Sequence, residues 1–181
     1  MSEVTWEQFD ELRAQMKSGR VTRELFQDFL GNPQSVKSQP SEYVVTVDYG
    51  KTLKEMIAAG QYDWENSDIN SDNFQIEGDG TVETKLELVH LNKDASTKEV
   101  EAYFEKNGLR AATLEELLAF GAKFPEVQRE FPVIALGSAW VSPDGRRGVL
   151  YLDRGGSKRN IFLYWRERDW YGLCRFLAFR K

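Results

Sequence analysis

The sequence predicts an α+β fold: an N-terminal helical hairpin, then a body in which helices pack on short, mainly antiparallel strands. Helix capping patterns recur before Pro132, whereas four short apolar runs separated by turn residues follow it. Helices followed by a run of strands are typical of α+β proteins. With 181 residues, 41% of them hydrophobic, the chain is long enough for one domain with its own core.

The first element is the predicted helical hairpin. Apolar residues recur at helical spacing in two segments, and Gly19 lies between them as a stop signal. Two helices of this length cannot bury both apolar faces alone, so they must dock on the body or on a partner. The ten residues PQSVKSQPSE that follow have linker composition. We therefore assign 1–32 to the hairpin, 33–42 to a linker and 43–181 to the α+β domain.

The body is predicted to begin with a strand at 43–47. Three helices follow, and each opens with a capping box in which Thr or Ser precedes Glu by three residues. The pairs are Thr52 with Glu55, Ser96 with Glu99, and Thr113 with Glu116. A strand over 85–91 precedes the second helix, and residues 61–82 are polar and irregular. The final strands are predicted at 133–141, 148–152, 161–165 and 174–179.

The composition favours a protein of a reducing compartment, and we expect it to be cytoplasmic. The N-terminus lacks the basic and apolar regions of a signal peptide, and no apolar run approaches the roughly 20 residues that span a bilayer. The single cysteine, Cys174, cannot form an intramolecular disulfide. One His and one Cys are too few for the usual zinc site. We expect no cofactor, no metal and no membrane partner.

Two isolated features suggest chemistry, but a structural role explains each better. The segment from Asp68 to Asp72 (DINSD) begins like a calcium loop, yet Asn73 replaces the glycine at position six and Asp79 the glutamate at position twelve. A solvated polar loop is favoured, with weak calcium binding as the alternative. His90, the only histidine, has no accompanying catalytic signature, so we expect a hydrogen-bonded structural side chain.

Three further features fail as catalytic candidates. Cys174 lies on a predicted buried strand, where a free thiol usually behaves as a small hydrophobe. Glu115 and Glu116 could supply paired carboxylates, but Glu116 already has a capping role. The glycine pairs do not match a nucleotide-binding motif. The sequence therefore predicts no enzyme, and a carboxylate-based enzyme is the least supported alternative.

Positive charge and aromatic side chains concentrate near the C-terminus. Residues 140–181 hold ten basic against four acidic residues and nine of the 23 aromatics, whereas the rest of the chain holds 14 basic against 25 acidic. Arg, Trp and Tyr are typical of binding hot spots and also of nucleic-acid stacking surfaces. The structural alternative places the two tryptophans in the core with arginines around it. The candidate ligand-binding residues are Arg159, Tyr164, Trp165, Arg166, Arg168, Trp170 and Tyr171.

Short motifs carry a family resemblance. Residues 109–118 (LRAATLEELL) resemble the Arg and Thr-x-x-Glu helix start of C-type-lectin-like domains, including the formylglycine-generating-enzyme branch. Residues 154–157 (RGGS) and 172–178 (GLCRFLA) are similar to the ending of those domains. The whole chain also resembles a group of uncharacterised bacterial proteins that join a helical-hairpin start to this body. The resemblance implies a lectin-like scaffold over 107–181, with a ligand-binding segment at 159–171.

Neither named activity of that fold has its motif in this chain. The Glu-Pro-Asn, Gln-Pro-Asp and Trp-Asn-Asp sequences of calcium-dependent sugar binders are absent, and a lone cysteine cannot form the active-site pair of formylglycine-generating enzymes. We therefore predict a non-enzymatic module that binds a protein or small-molecule ligand through its C-terminal aromatic and arginine face. The alternative is nucleic-acid association through the basic C-terminal end. The sequence does not determine the oligomeric state.

Overall fold

The computed structural model describes residues 6–17, 21 and 42–181. The chain divides into two compact units, Met1–Pro40 and Ser41–Lys181. In the first unit, helix α1 spans Trp6–Lys17. The predicted second helix of the hairpin and most of the predicted linker lie outside the described residues, so the hairpin stays a prediction. The second unit is a mixed α+β structure, as the sequence predicts.

The second unit contains one sheet of eight strands and, in its described part, four helices. The strands are β1 (Tyr43–Asp48), β2 (Trp64–Glu65), β3 (Thr81–Val89), β4 (Leu109–Ala111), β5 (Val133–Val141), β6 (Arg147–Gly155), β7 (Lys158–Trp165) and β8 (Arg175–Arg180). The helices are α2 (Leu53–Ala59), α3 (Thr97–Lys106), α4 (Leu114–Lys123) and α5 (Val127–Glu130). In the sheet the order is β1-β3-β8-β5-β6-β7-β2. Strand β4 pairs with residues 178–180 of β8, next to the two residues of β8 that pair with β5.

Most strand pairs are antiparallel, as predicted. The exceptions are the short parallel pairings of β5 with β8 and of β2 with β7. Strand β3 begins at Thr81, four residues before its predicted start. The prediction missed the start of the strand because its first three residues are exposed and show no apolar alternation. Strands β2 and β4 and helix α5 were not predicted, since elements of two to four residues are too short for a periodic pattern.

All three predicted capping boxes are present. In α2, α3 and α4 the Thr or Ser side chain accepts from the backbone of the Glu, and the Glu side chain accepts from the backbone of the capping residue. Each box satisfies two N–H groups that the first helical turn leaves without partners. The helix starts were predictable because capping depends on only four consecutive residues.

The sheet has a core on each face. On the first face, Leu150 and Leu152 pack with apolar residues of α2 and α4. On the second face, Val149 packs with Val100 and Phe104 of α3. Alternate residues of a strand point to opposite faces, so β6 contributes to both cores. In the same core, α3 packs with Val89 of β3, Phe176 of β8 and Ile134 of β5. The part of the second face formed by β6, β7 and β2 is less covered by the described residues, because Tyr151, Phe162 and Tyr164 are only partly buried and Trp64 is exposed.

Candidate functional site

Aromatic side chains cross the less covered part of the second face in a continuous row. Trp64 on β2 contacts Phe162 on β7, with ring centroids 5.0 Å apart, and Phe162 stacks on Tyr151 of β6 at 5.1 Å. Tyr151 meets Tyr164 edge to face at 6.0 Å, and Tyr164 contacts Trp170 at 5.1 Å. We call these five residues the aromatic row. It leads from the edge of the sheet to the loop that joins β7 to β8.

A cavity of about 140 Å³ lies at the inner end of the aromatic row. We call it the aromatic pocket. Strands β5, β6 and β7 supply one side, and the loop between β7 and β8 supplies the other. Its lining is Pro132, Ile134, Tyr151, Asp153, Tyr164, Asp169, Trp170, Tyr171 and Cys174. Three of the seven predicted binding residues, Tyr164, Trp170 and Tyr171, therefore lie together in one pocket.

The loop wall of the pocket is held in place by several hydrogen bonds. The backbones of Trp170 and Ala95 bond to each other in both directions, at 2.8 and 3.0 Å. The indole Nε1 of Trp170 donates to Thr97 Oγ1 at 2.8 Å. Asp94 Oδ1 accepts from the backbone N–H of Gly172 at 2.7 Å. These bonds fix the loop to the start of α3, so the pocket is preformed.

His90 is hydrogen-bonded and Cys174 is buried, as the sequence predicts. His90 Nε2 lies 2.7 Å from the carbonyl oxygen of Gly172, which gives the loop another attachment. Cys174 is buried, and burial together with the charge of Asp153 raises the pKa of its thiol to about 11. The pocket therefore contains a protonated thiol, which is a poor nucleophile at neutral pH.

The aromatic pocket is acidic. Among the residues that the structure describes, two carboxylates, Asp153 and Asp169, line it, and no Lys, Arg or His does. Neither carboxylate forms an ion pair with a residue in the described part of the chain. Burial raises the pKa of Asp153, against the opposing effects of a hydrogen bond from the Arg154 backbone and the Arg154 charge. Burial and the Asp153 charge raise the pKa of Tyr151 to about 12.

The position of Arg159 contradicts the predicted binding face. Its side chain is 5% exposed and lies on the first face of the sheet. Its Nε and Nη2 donate to Gln128 Oε1 at 3.2 and 3.0 Å, and Nη2 also donates to the carbonyl of Gly121 at 2.6 Å. Its Nη1 donates to the carbonyl of Gly60. The prediction that Arg159 is presented to a ligand is therefore wrong, because the strand alternation directs this side chain into the core.

Three other predicted residues lie outside the pocket lining. Arg166 donates to the carbonyl of Leu136 at 2.9 Å and pairs with Glu101, so it joins β5 to α3. Trp165 is partly buried and carries the guanidinium of Arg146 at 3.9 Å above its ring. Arg168 is exposed in the loop after β7. The seven predicted residues therefore do not form one binding face.

Trp170 is buried, although the predicted binding face requires it to be exposed. It is 4% exposed and packs edge to face on Phe176 in the second core. The structural alternative is thus correct for its burial. Trp170 nevertheless lines the pocket, so its role there is to form a wall rather than an exposed contact surface.

Sequence reasoning identified only Tyr164, Trp170 and Tyr171 as binding residues of this site. The residues it missed are Trp64 and Phe162 of the row, Tyr151 of both the row and the pocket, and Pro132, Ile134, Asp153, Asp169 and Cys174 of the pocket lining. Tyr151 and Asp153 are two apart in β6, so the period of two places their side chains on one face. The sequence contained this alternation, but the predicted strand ended at residue 152 and excluded Asp153. Trp64 had no comparable signal, because it reaches the row through a two-residue strand that pairs in parallel with β7.

The paired glutamates at the start of α4 differ in their partners: Glu116 is fully bonded, whereas the buried Oε2 of Glu115 has no hydrogen-bond partner among the described residues. Both carboxylate oxygens of Glu116 accept from Arg110, at 2.7 and 2.8 Å, while Glu116 also completes the capping box with Thr113. Glu115 Oε1 accepts from the backbone N–H of Glu77 at 2.8 Å. The Arg and Thr-x-x-Glu motif is thus a device that joins β4 to α4.

The loop with the calcium-like sequence is organised by its own asparagines. Asn70 Oδ1 accepts from the backbone N–H groups of Asp72 and Asn73, and Asn66 Oδ1 accepts from that of Asp68. Side-chain bonds of this kind are typical of Asx turns. Within residues 6–17, 21 and 42–181, no group of three or more His, Cys, Asp or Glu residues is placed to hold a metal ion.

The fold and the site define a mixed α+β protein that carries an aromatic, acidic pocket on the less covered face of its sheet. Comparison with protein-family models, with curated proteins and with solved structures found no match to the chain. The C-type-lectin-like resemblance therefore stays a prediction. None of the helices that the structure describes is long and apolar enough to cross a membrane.

Proposed function

We propose that this protein is a non-enzymatic binding module that holds its ligand on the aromatic row and in the aromatic pocket. The observation that supports this function best is the continuity of the two, because the row of rings leads directly into a preformed cavity. Tyr and Trp provide large rigid contact areas and dominate binding hot spots. The protonated thiol of Cys174 and the absence of His90 from the pocket lining favour binding over catalysis.

The two ends of the site expose large aromatic surface. Trp64 is 47% exposed at the sheet edge, and Tyr171 is 71% exposed at the pocket rim. Neighbouring aromatics of the row, Tyr151 and Phe162, are only partly buried. Contiguous exposed apolar surface is uncommon on inert proteins and marks interaction sites. A ligand that covered this surface would remove it from water.

Replacing Tyr171 or Trp64 by Ala should weaken ligand binding without unfolding the protein. Tyr171 is largely exposed, so we expect Tyr171→Ala to change the free energy of unfolding by less than about 0.5 kcal/mol. Trp64 is about half-buried against Phe162, so Trp64→Ala should lower it by about 1 kcal/mol. Truncation of a hot-spot aromatic costs about 2 kcal/mol of binding, which is roughly 30-fold in Kd. The measurement is a ¹H–¹⁵N NMR titration of the full chain with capped peptides of differing side-chain chemistry.

Tyr103→Ala is the matched control, since Tyr103 is 39% exposed but lies on α3 outside the row and the pocket. We expect this variant to bind as the parent does. Chemical-shift changes should be confined to the aromatic row and the residues that line the pocket. Changes confined to another surface, or equal weakening by Tyr103→Ala, would contradict the proposed site.

The alternative function is nucleic-acid binding through the basic end. Four of the ten basic residues in that segment are paired with carboxylates: Arg146, Arg147, Arg166 and Arg180. Arg159 is buried, and Arg175 is half-buried over the ring of Phe131. Among residues the structure describes, the basic residues of this segment that are exposed and form no ion pair are Arg154, Lys158, Arg168 and Lys181.

We therefore expect labelled DNA to bind weakly and nonspecifically. Four neutralised phosphates would produce a log Kd against log salt slope of about 3 to 4, and less if these residues cannot contact one duplex together. A fluorescence-anisotropy titration at low and physiological salt measures the slope. Tight binding at physiological salt, lost when Arg154, Lys158 and Arg168 are changed to Ala, would favour the nucleic-acid function instead.

A further inference from the structure

The lining of the aromatic pocket also determines which ligand chemistry it favours. Resting on the proposed function, we infer that the pocket binds the cationic head of a Lys or Arg side chain, supplied by a partner polypeptide that lies along the aromatic row. The inference depends on the pocket's charge, its ring surfaces, its volume and its position at the end of the row.

The charge of the pocket selects against anions and favours cations. Asp153 lies on β6 inside the lining, and Asp169 lies on the loop opposite. The Arg154 charge acts on Asp153 from outside the lining, and no described residue supplies a basic side chain within it, so an incoming cation would bring positive charge into the pocket itself. The attraction between opposite charges is much stronger in a partly desolvated site than in bulk water.

The rings supply the second requirement for binding a cation. Tyr151 and Tyr164 are nearly perpendicular, with an interplanar angle of 85°, and Trp170 is tilted by 45° to Tyr164. Tyr171 adds a fourth aromatic side chain at the rim. Rings set at angles around one cavity offer their surfaces from several directions, and a cation over a ring face is attracted to its π electrons.

Volume and position favour a side chain over a whole small molecule. Pockets for drug-sized ligands usually measure roughly 300–1,000 Å³, whereas this one measures about 140 Å³. From the pocket, the aromatic row crosses β6, β7 and β2 to the sheet edge. Adjacent strands lie about 4.8 Å apart, so the row extends roughly 10 Å, which matches about three residues of extended chain.

The test uses four capped pentapeptides, Gly-Gly-X-Gly-Gly, in which X is Lys, Arg, norleucine or Glu, titrated into the full chain by ¹H–¹⁵N NMR. Norleucine is the neutral counterpart of Lys and has a similar apolar stem. We expect Lys or Arg to shift the signals of pocket residues with at least tenfold lower Kd than norleucine, and Glu to leave these signals unchanged. Butylammonium, which has the cation without the peptide, should bind more weakly than the Lys peptide.

Asp153→Asn is the decisive variant. It should weaken Lys-peptide binding about tenfold and leave norleucine binding unchanged. Because burial raises the pKa of Asp153 in the folded protein, the ionised carboxylate opposes folding above that pKa, so the variant should also show a higher Tm at pH 7. A purely structural Asp153 would instead show a lower Tm. Asp79→Asn, an exposed loop carboxylate outside the pocket lining, is the matched control for net charge.

The affinity for the Lys peptide should also depend on pH through the carboxyl of Asp153. Tyr151, Cys174 and Arg154 also act on this carboxyl; the pKa values of the phenol and the thiol are raised to about 12 and about 11, and the guanidinium stays charged, so none of the three titrates in the acidic range. A bound cation favours the ionised form of Asp153, so affinity should be highest above the pKa of this carboxyl and fall as the pH decreases through it.

If norleucine binds the pocket as tightly as Lys, the cation inference is overturned while the proposed function stands. If none of the four peptides shifts the pocket signals, the inference and the proposed function both fail. If butylammonium binds as tightly as the Lys peptide, the inference that a polypeptide supplies the cation is overturned.

Discussion

Arg159→Ala should lower the free energy of unfolding by about 3–4 kcal/mol. The guanidinium of Arg159 donates to Gln128 and to the carbonyl groups of Gly60 and Gly121, deep in the first core. Removal of the side chain leaves these three acceptors buried without donors, at a cost of about 1–3 kcal/mol for each unsatisfied group, partly offset where water enters. A chain of this size loses about 2–4 °C of Tm for each kcal/mol, so Tm should fall by roughly 10 °C.

The lysine variant separates the hydrogen-bond geometry of Arg159 from its charge. A lysine ammonium cannot reproduce the planar fork that reaches three acceptors on different elements, so Arg159→Lys should recover only part of the loss. Arg154→Ala is the matched control, because Arg154 is exposed and lies directly opposite Arg159 in the β6–β7 register. We expect it to change stability by less than about 0.5 kcal/mol.

Thermal and denaturant unfolding, followed by circular dichroism, measure these differences. Equal stability of the Arg159→Ala and Arg154→Ala variants would show that Arg159 does not hold α2, α4 and α5 to the sheet. The same result would return Arg159 to the list of surface residues available to a ligand, as the sequence alone predicts.

Trp170→Ala should produce the second large effect, on both stability and binding. Trp170 is buried against Phe176 and forms a wall of the aromatic pocket. Truncation of a buried Trp to Ala typically costs 3–5 kcal/mol. It also removes the indole bond to Thr97, which holds the loop to α3. We expect the variant to lose measurable ligand binding and to unfold at a markedly lower temperature.

Trp170→Phe distinguishes the ring from its hydrogen bond. It keeps an aromatic wall but loses the Nε1 donor, so we expect a loss of about 1 kcal/mol in stability and only a small change in Kd. Tyr171→Ala should show the opposite pattern, with stability retained and binding weakened. Unfolding curves and peptide titrations on the three variants measure both quantities. Full binding by Trp170→Ala, wherever it remains folded, would contradict the role of Trp170 in the pocket.

The sequence predicted the local elements of the fold with good accuracy. The starts of α2, α3 and α4 follow from capping boxes, and the strands after Pro132 follow from apolar runs between turn residues. The elements it missed, β2, β4 and α5, have two to four residues and form only because longer neighbours pair or pack with them.

The candidate site was only partly predictable. Tyr164, Trp170 and Tyr171 were recognised from the local density of aromatic and arginine residues, and all three line the pocket. Asp153, on the preceding strand, and Trp64, far earlier in the chain, were missed. Arg159 belonged to the same dense segment, yet it faces the opposite side of the sheet.

What the sequence by itself determined is the class of fold, the helix starts and the segment that supplies the loop wall of the pocket, because each depends on residues close together in the chain. Only the tertiary structure decided which face of the sheet each set of alternating side chains occupies. Strand β7 (KRNIFLYW) has buried residues on both faces, so its hydrophobic pattern does not distinguish the side of Arg159 from the side of Phe162. Pairing with β6 and packing of α5 and α3 on opposite faces of the sheet assign the sides, and these contacts join residues far apart in sequence.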